Sequence, residues 1–313
     1  MATDYAKLYQ KYIDEELEEC SGTQWMTANA GQVRFCGGKD VEVNTLQTTG
    51  LGTYDSTKSD GSAYPSGTVT SAWTAQTLSM DRGVKFSLDR CNPEDPDFET
   101  SAENVIREFA RMQLAKEQDC YRIHKLYALA SADETWKGSH IVTYTPASDD
   151  IVEKLYDLAQ TLENDSERTG GFVALVAADL KGKFLKATAD DFNRIVFEQK
   201  VEVNGVTYEH VMMLNDLPCI FVPSGRMLTA IAPRSGRASQ VAGGIAAGTG
   251  AKKIYALVTA CDAPLAVAKI DSLKQFGPEE NQLFDGTAIQ ARYQYDLFVP
   301  GTRVNTIGAL VEG

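Results

Sequence analysis

The chain has 313 residues, a formal net charge of −13 and 43% hydrophobic residues. That much apolar material supplies one large or two modest cores and excludes wholesale disorder. So acidic a chain is unsuited to gripping nucleic acid in general, because phosphate contacts need clustered Lys and Arg.

Residues 3–19 predict a short amphipathic helix, with Tyr5, Leu8, Tyr9, Tyr12, Ile13 and Leu17 on one face and Asp14, Glu15, Glu18 and Glu19 on the other. After Ser21-Gly22 periodicity disappears until Lys39. A helix on a loose tether is either an arm that docks on a neighbour or a terminal helix folded onto its own domain. The residues alone favour the second.

From Val41 to about Ser79 the chain is dominated by Ser, Thr and Gly, with hydrophobes too sparse to bury a core. Strand-like runs at Val41–Thr45 and Thr68–Leu78 flank a tip, Asp55 to Gly67, that holds the turn formers Asp60-Gly61 and Tyr64-Pro65. A long two-stranded ribbon projecting from the body is expected. Because an isolated ribbon is marginal in water, a neighbouring surface has to support it. Val69, Trp73 and Leu78 argue against a plain disordered loop.

Val84–Asp89 alternates as a strand, and the prolines at 93 and 96 break it. Thr100-Ser101-Ala102-Glu103 then reads as a capping box opening one uninterrupted helix to about Ala130. Val105, Ile106, Phe109, Met112, Ile123, Tyr127 and Ala130 form its apolar stripe. At 1.5 Å per residue it is about 45 Å long, the length of a strut. Another strand is expected at 136–146, ending at Pro146, followed by a helix opened by Ser148-Asp149-Asp150 with Ile151, Leu155, Leu158 and Leu162 on one face. Gly171–Ala177 is a continuous apolar strand, Ala178–Ala187 a short helix, and further strands fall at Val211–Leu214, Leu217–Val222 and Ile254–Thr259. This alternation predicts an α/β or α+β layer. A long last strand, Ile289 to Val299, alternates with Gln290, Arg292, Gln294 and Asp296, which predicts one wet face.

Chemistry is sparse. Gly243–Lys253 superficially suggests a phosphate loop, but it lacks the Gly-Lys-Ser/Thr ending and any Gly-x-Gly-x-x-Gly register opening a helix. No Gly-x-Ser-x-Gly elbow is present, and His124, His140 and His210 have no second ligand at metal spacing. Glu117 and Asp119 cannot face each other on a helix, so they form no acid/base pair. Cys20, Cys36, Cys91, Cys120, Cys219 and Cys261 are scattered, which fits a reduced cytosolic setting and neither zinc nor a disulfide framework. Neither a signal peptide nor a membrane span is evident, so a soluble intracellular product is expected. No catalytic set, cofactor site or metal site is expected. One island stands out: no acid occurs between Asp216 and Asp262, while Arg226, Arg234, Arg237, Lys252 and Lys253 do. It suits an acidic neighbour or a polyanion, or is a set of solvated charges beside a glycine loop.

The order of arm, ribbon, strand, strut helix, α/β region and returning strand resembles the major capsid proteins of tailed bacteriophages, with their Hong Kong phage-type fold. Local echoes are Val84–Asp89 leading into the helix, Lys116-Glu117-Gln118-Asp119 midway along it, and Gln290–Asp296 near the end. The resemblance implies an α+β fold with an N-terminal arm at 1–38 and an extended β-hairpin loop at 39–83 lying over the adjacent subunit. It implies a peripheral domain at 84–147 and 264–303 with the spine helix at 100–130, and an α/β axial domain at 148–263 and 304–313, its glycine loop and basic residues near the capsomer centre. It further implies a non-enzymatic virion capsid protein, assembled in the host cytoplasm as hexamers and pentamers of an icosahedral shell. The shell would enclose double-stranded DNA without sequence-specific binding, next to portal and decoration proteins and away from membranes. Relatives often carry a long scaffolding extension; only a short arm precedes the ribbon here, so any scaffolding is expected as a separate protein. Some relatives crosslink through a ribbon Lys and a peripheral Asn, and Lys58 with Asn281 or Asn305 are the corresponding candidates. An encapsulin-like compartment sharing the fold, and an α/β nucleotide-binding enzyme using Gly243–Gly250, are the alternatives.

Overall fold

The computed structural model describes residues 2–58, 63–89, 98–190, 195–237, 240, 242–277, 279–281 and 286–313. Its first amphipathic stretch forms α1 (Ala2–Cys20), whose Ile13 and Leu17 bury against the chain's own long helix and a neighbouring sheet. The helix is folded onto its own body. Residues 21–38 depart from the expected loose tether: they form a 3-10 helix (Gln24–Gln32) and a strand, β1 (Val33–Gly37), and Trp25 and Met26 are fully buried. Two large apolar residues on one short 3-10 turn generate no repeating period, so periodicity misses them.

The ribbon is present as β2 (Asp40–Thr48) and β3 (Val69–Thr77), antiparallel with Asp40 opposite Thr77 and Thr48 opposite Val69. β1 pairs with the other edge of β2, so a third short strand braces what was expected as two. The turn expected at Asp60-Gly61 lies outside the described residues; next to it, Tyr54 and Tyr64 meet with ring centroids 4.8 Å apart. β4 (Met80–Asp89) begins four residues earlier than its alternation suggests.

The strut comprises α2 (Phe98–Phe109), a π turn (Ala110–Leu114) and α3 (Ala115–Ala132), roughly 50 Å in all. Two expectations fail here. The helix already includes Phe98, so Thr100 does not stand in front of it, and Glu103 instead accepts from Arg107 Nε at 3.0 Å. The π turn also rotates one half of the helix against the other. Ile106, Ala110 and Leu114 therefore face one sheet and Ile123, Leu126 and Ala130 another, while Met112 of the expected stripe is 54% exposed.

Where a strand was expected at 136–146, α4 (Lys137–His140) comes first and β5 (Ile141–Tyr144) is short. α5 (Ile151–Ser166) starts as predicted, with the Asp150 carboxylate accepting from Val152 N at 2.9 Å. β6 (Phe172–Ala177), α6 (Lys181–Asp190), β7 (Ile195–Val203), β8 (Val206–Leu214) and β9 (Leu217–Val222) follow. The β7–β8 turn is Asn204-Gly205, both at positive φ (48° and 82°), a two-residue hairpin signal for which Asn and Gly are the natural choice. β10 (Ile231–Pro233) and β11 (Ile245–Ala247) make a small hairpin, and β12 (Ile254–Ala260), β13 (Leu265–Phe276), β14 (Gly286–Phe298) and β15 (Ile307–Glu312) complete the fold.

Seven strands form one mixed sheet in the order β5-β15-β12-β6-β9-β8-β7, and β13-β14-β4 form a second. β6 explains its own composition: Phe172, Ala174 and Val176 enter the core beneath α5, and Val173, Leu175 and Ala177 enter the core shared with α3. A strand covered on both faces reads as an unbroken apolar run. β5 joins this larger sheet, parallel to β15, although residues 84–147 were expected to lie together by the spine helix. β14 is covered on both faces over most of its length. Gln290 and Arg292 are exposed as its alternation predicts, but Gln294 and Asp296 are buried, because α3 and the ribbon root close over them.

Candidate assembly surface

All nine residues of β3 are exposed. The register puts Trp73 opposite Asn44, Ser71 opposite Leu46 and Val69 opposite Thr48, so Leu46, Val69 and Trp73 share one face. They are 61%, 70% and 50% exposed, a stripe of large apolar groups in water. The root of the ribbon is firm by contrast. Val41, Leu78 and Val267 bury together, and the Asp296 carboxylate accepts from Ser79 N (2.9 Å), Tyr121 Oη (2.6 Å) and Leu297 N (2.7 Å). Burial, together with the carboxylate it donates to, pushes the Tyr121 hydroxyl far above the ordinary tyrosine range. Beside it Asp81 is gripped by Arg292 and Lys39, which hold its carboxyl well below the usual carboxylate range.

Two further knots brace the body behind the ribbon. Asp119, fully buried, accepts from Ser21 Oγ and Thr23 Oγ1 (both 2.6 Å), from the backbone of Gly22 and Thr23, and from Arg226 Nη1 at 2.8 Å. Gly22 is required because a Cβ there would stand 2.7 Å from Val222 Cγ2. Glu117, two residues earlier, points elsewhere, accepting from Arg82 Nε (2.7 Å) and Tyr295 Oη (2.8 Å). Arg82 reaches on to the carbonyls of Arg234 (2.6 Å) and Gly244 (3.0 Å), fastening the β10–β11 hairpin to the spine. His124, seven residues along the helix from Glu117, donates from Nδ1 to the Thr229 carbonyl at 2.9 Å at the root of the same hairpin, since a carbonyl can only accept.

The five basic residues of the island are not brought together as one patch. Arg226 is turned inward onto Asp119 and the Cys20 carbonyl, whereas Arg234, Arg237, Lys252 and Lys253 are exposed, the last 3.7 Å from Asp179. Gly243–Gly250 forms β11 and its flanking turns and leads into strand β12. It opens onto a strand, whereas the phosphate-cradling loop of a nucleotide-binding fold opens onto a helix N-terminus. Lys58 is 3.9 Å from Asp55, Asn281 donates to the Gly286 carbonyl at 3.0 Å, and Asn305 donates to the Asp165 carbonyl at 3.1 Å. His140 pairs with Asp165 at 2.9 Å; the side chain of His210 lies outside the described residues, as does Cys91. Burial raises the Cys120 thiol to about 11 and the Cys219 thiol to about 12, so neither is a nucleophile.

Sequence reasoning passed over Arg82 and Tyr121 and put Asp296 on a wet face. The one available signal was an acid at 296 between Tyr295 and Leu297, in a strand otherwise too aromatic to leave one side wet.

No protein-family model matches the sequence, and no curated protein does. Solved structures do. The capsid structure of the cyanophage P-SCSP1u matches with a TM-score of 0.55 at 13% identity, covering 89% of this chain and 85% of that one. A virus-like particle from Pyrococcus furiosus matches at 0.52 and 11% identity, over 98% and 99% of the two chains. The capsid of Ralstonia phage GP4 matches at 0.52 and 8% identity, over 88% and 84%. At these identities the likeness is one of fold: the chain has the Hong Kong phage-type fold of tailed-phage capsid proteins and of that particle.

Proposed function

We propose that this chain is a structural shell subunit, the major capsid protein of a tailed bacteriophage, which assembles with copies of itself into hexamers and pentamers of an icosahedral shell around double-stranded DNA. The observation that carries the reading is the capsid fold along nearly the whole chain, joined to a ribbon whose apolar stripe is at least half exposed. The arm would be residues 1–38, the extended loop 39–83, the peripheral domain 84–147 and 264–303, and the axial domain 148–263 and 304–313, with β5 lending its edge to the axial sheet. Arg234, Arg237, Lys252 and Lys253 are the basic residues left to face the capsomer centre. A role without catalysis suits side chains such as Asp119, Glu117 and His124, which are committed to structural hydrogen bonds.

A second reading is an encapsulin-like compartment around a protein cargo. It is favoured by the nearly coextensive match with the Pyrococcus particle. Electron micrographs of the expressed protein test both: closed particles are expected, filled with nucleic acid on the first reading and with protein on the second. A chain that stays monomeric under assembly conditions overturns the shell itself.

A further inference from the structure

The ribbon has two edges of opposite character. The β1 edge is short, carries Arg34, and breaks register between Phe35 and Gly37, the devices by which proteins blunt an exposed edge. The β3 edge has none of them. Val69-Thr70-Ser71-Ala72-Trp73-Thr74-Ala75-Gln76-Thr77 contains no charge, Gly or Pro, its pairing with β2 is free of bulges, and no described strand lies beyond it. Nine uncharged, strand-forming residues left open in this way are a template for another strand.

The hydrogen bonds show which backbone groups are open. Thr49 N donates to Thr68 O at 3.1 Å and Leu78 N to Lys39 O at 2.9 Å, bracketing the ladder at both ends. Residues 70, 72, 74 and 76 therefore turn their backbone groups toward β2, and Val69, Ser71, Trp73, Ala75 and Thr77 turn theirs outward. These five are symmetric about Trp73. We infer that the β3 edge pairs antiparallel with the β3 edge of a second copy, about a two-fold axis at Trp73. Trp73 then faces Trp73, Ser71 faces Ala75 and Val69 faces Thr77. Every outward group finds a partner, no like charges oppose, and the two apolar stripes run on as one. The occupant is a second copy because this edge is complementary to itself, as a two-fold contact requires. The inference rests on the shell reading for its supply of closely spaced copies, and it names a contact between them.

In the full-length chain with Cys36→Ser and Cys91→Ser, Trp73→Cys tests it. Opposed residues in a hydrogen-bonded antiparallel pair have Cα atoms about 5.5 Å apart, within disulfide reach. Mild oxidation of the assembled protein is expected to give a disulfide-linked dimer, and Ala72→Cys, which faces residue 74 of the partner strand, is expected to give none. Adding Ser71→Pro and Ala75→Pro removes only outward N–H groups, a place where an edge strand tolerates proline, and is expected to abolish the dimer. Particles that form from the Trp73→Cys protein without a disulfide-linked dimer overturn the edge pairing and leave the shell reading standing. Absence of particles from the unsubstituted chain as well as from the variant overturns the two together.

Discussion

Asp119 is one residue on which three parts of the chain converge: α3, the link at Ser21–Thr23, and Arg226 behind β9. Its value is largely the cost of removing it. Asp119→Ala leaves the half-buried Arg226 and the hydroxyls of Ser21 and Thr23 without their acceptor, and breaking a buried ion pair from one side costs about 3–5 kcal/mol. Chemical denaturation should show a loss of that size, against less than about 1 kcal/mol for an exposed pair such as Lys11–Glu15. His124 gives a pH dependence. Burial lowers its pKa below the ordinary 6.5; its bond to Thr229 opposes this, and Lys125 adds a smaller lowering. The unfolded chain then binds a proton that the folded chain refuses, so the His124 contribution is present above about pH 6.5 and is lost as pH falls from there through the lower folded-state pKa. Thermal midpoints measured from pH 7.5 to pH 5 should fall more steeply for the parent than for His124→Gln. Parallel curves would refute the assignment.

At the scale of elements, the ribbon divides into a buried root and an open blade. Val41, Val43 and Leu78 are buried and Asp296 fastens the turn at Ser79, whereas Leu46, Val69 and Trp73 further out stand at least half exposed. Thr45 and Ala72 are opposed and hydrogen-bonded, so replacing 46–71 with Asn-Gly closes a tight hairpin on that pair. The shortened protein should keep its far-ultraviolet circular dichroism and melt cooperatively within a few degrees of the parent, yet form no particles. Loss of folding would show that the blade belongs to the core. The spine helix makes the complementary point. Its π turn costs a regular hydrogen-bonding step, and in return the two halves present different faces to two sheets. Strict 3.6-residue counting from Val105 to Ala130 cannot anticipate that rotation, which is why Met112 was assigned to a core it does not enter.

At the scale of the whole molecule, two well-covered sheets carry a blade whose apolar stripe stands in water. On the proposed shell reading, a net charge of −13 makes copies of the chain repel at long range, so the contacts that join them have to be short-ranged and apolar or backbone-mediated. The uncharged β3 strand meets that requirement. The sequence by itself determined the patterns that need only neighbours along the chain: the α1 amphipathy, the Asp150 cap, the doubly buried β6, the coreless ribbon, and through their order the capsid resemblance. Only the tertiary structure decided what depends on residues far apart in sequence. It buried Trp25 and Met26, turned Arg226 from the basic island onto Asp119, dried the Asp296 side of β14, and moved β5 to the larger sheet. The reason is physical. Local periodicity reports which face of an element avoids water, but a charge or an edge strand takes its place according to whatever partner the rest of the fold brings within hydrogen-bonding distance.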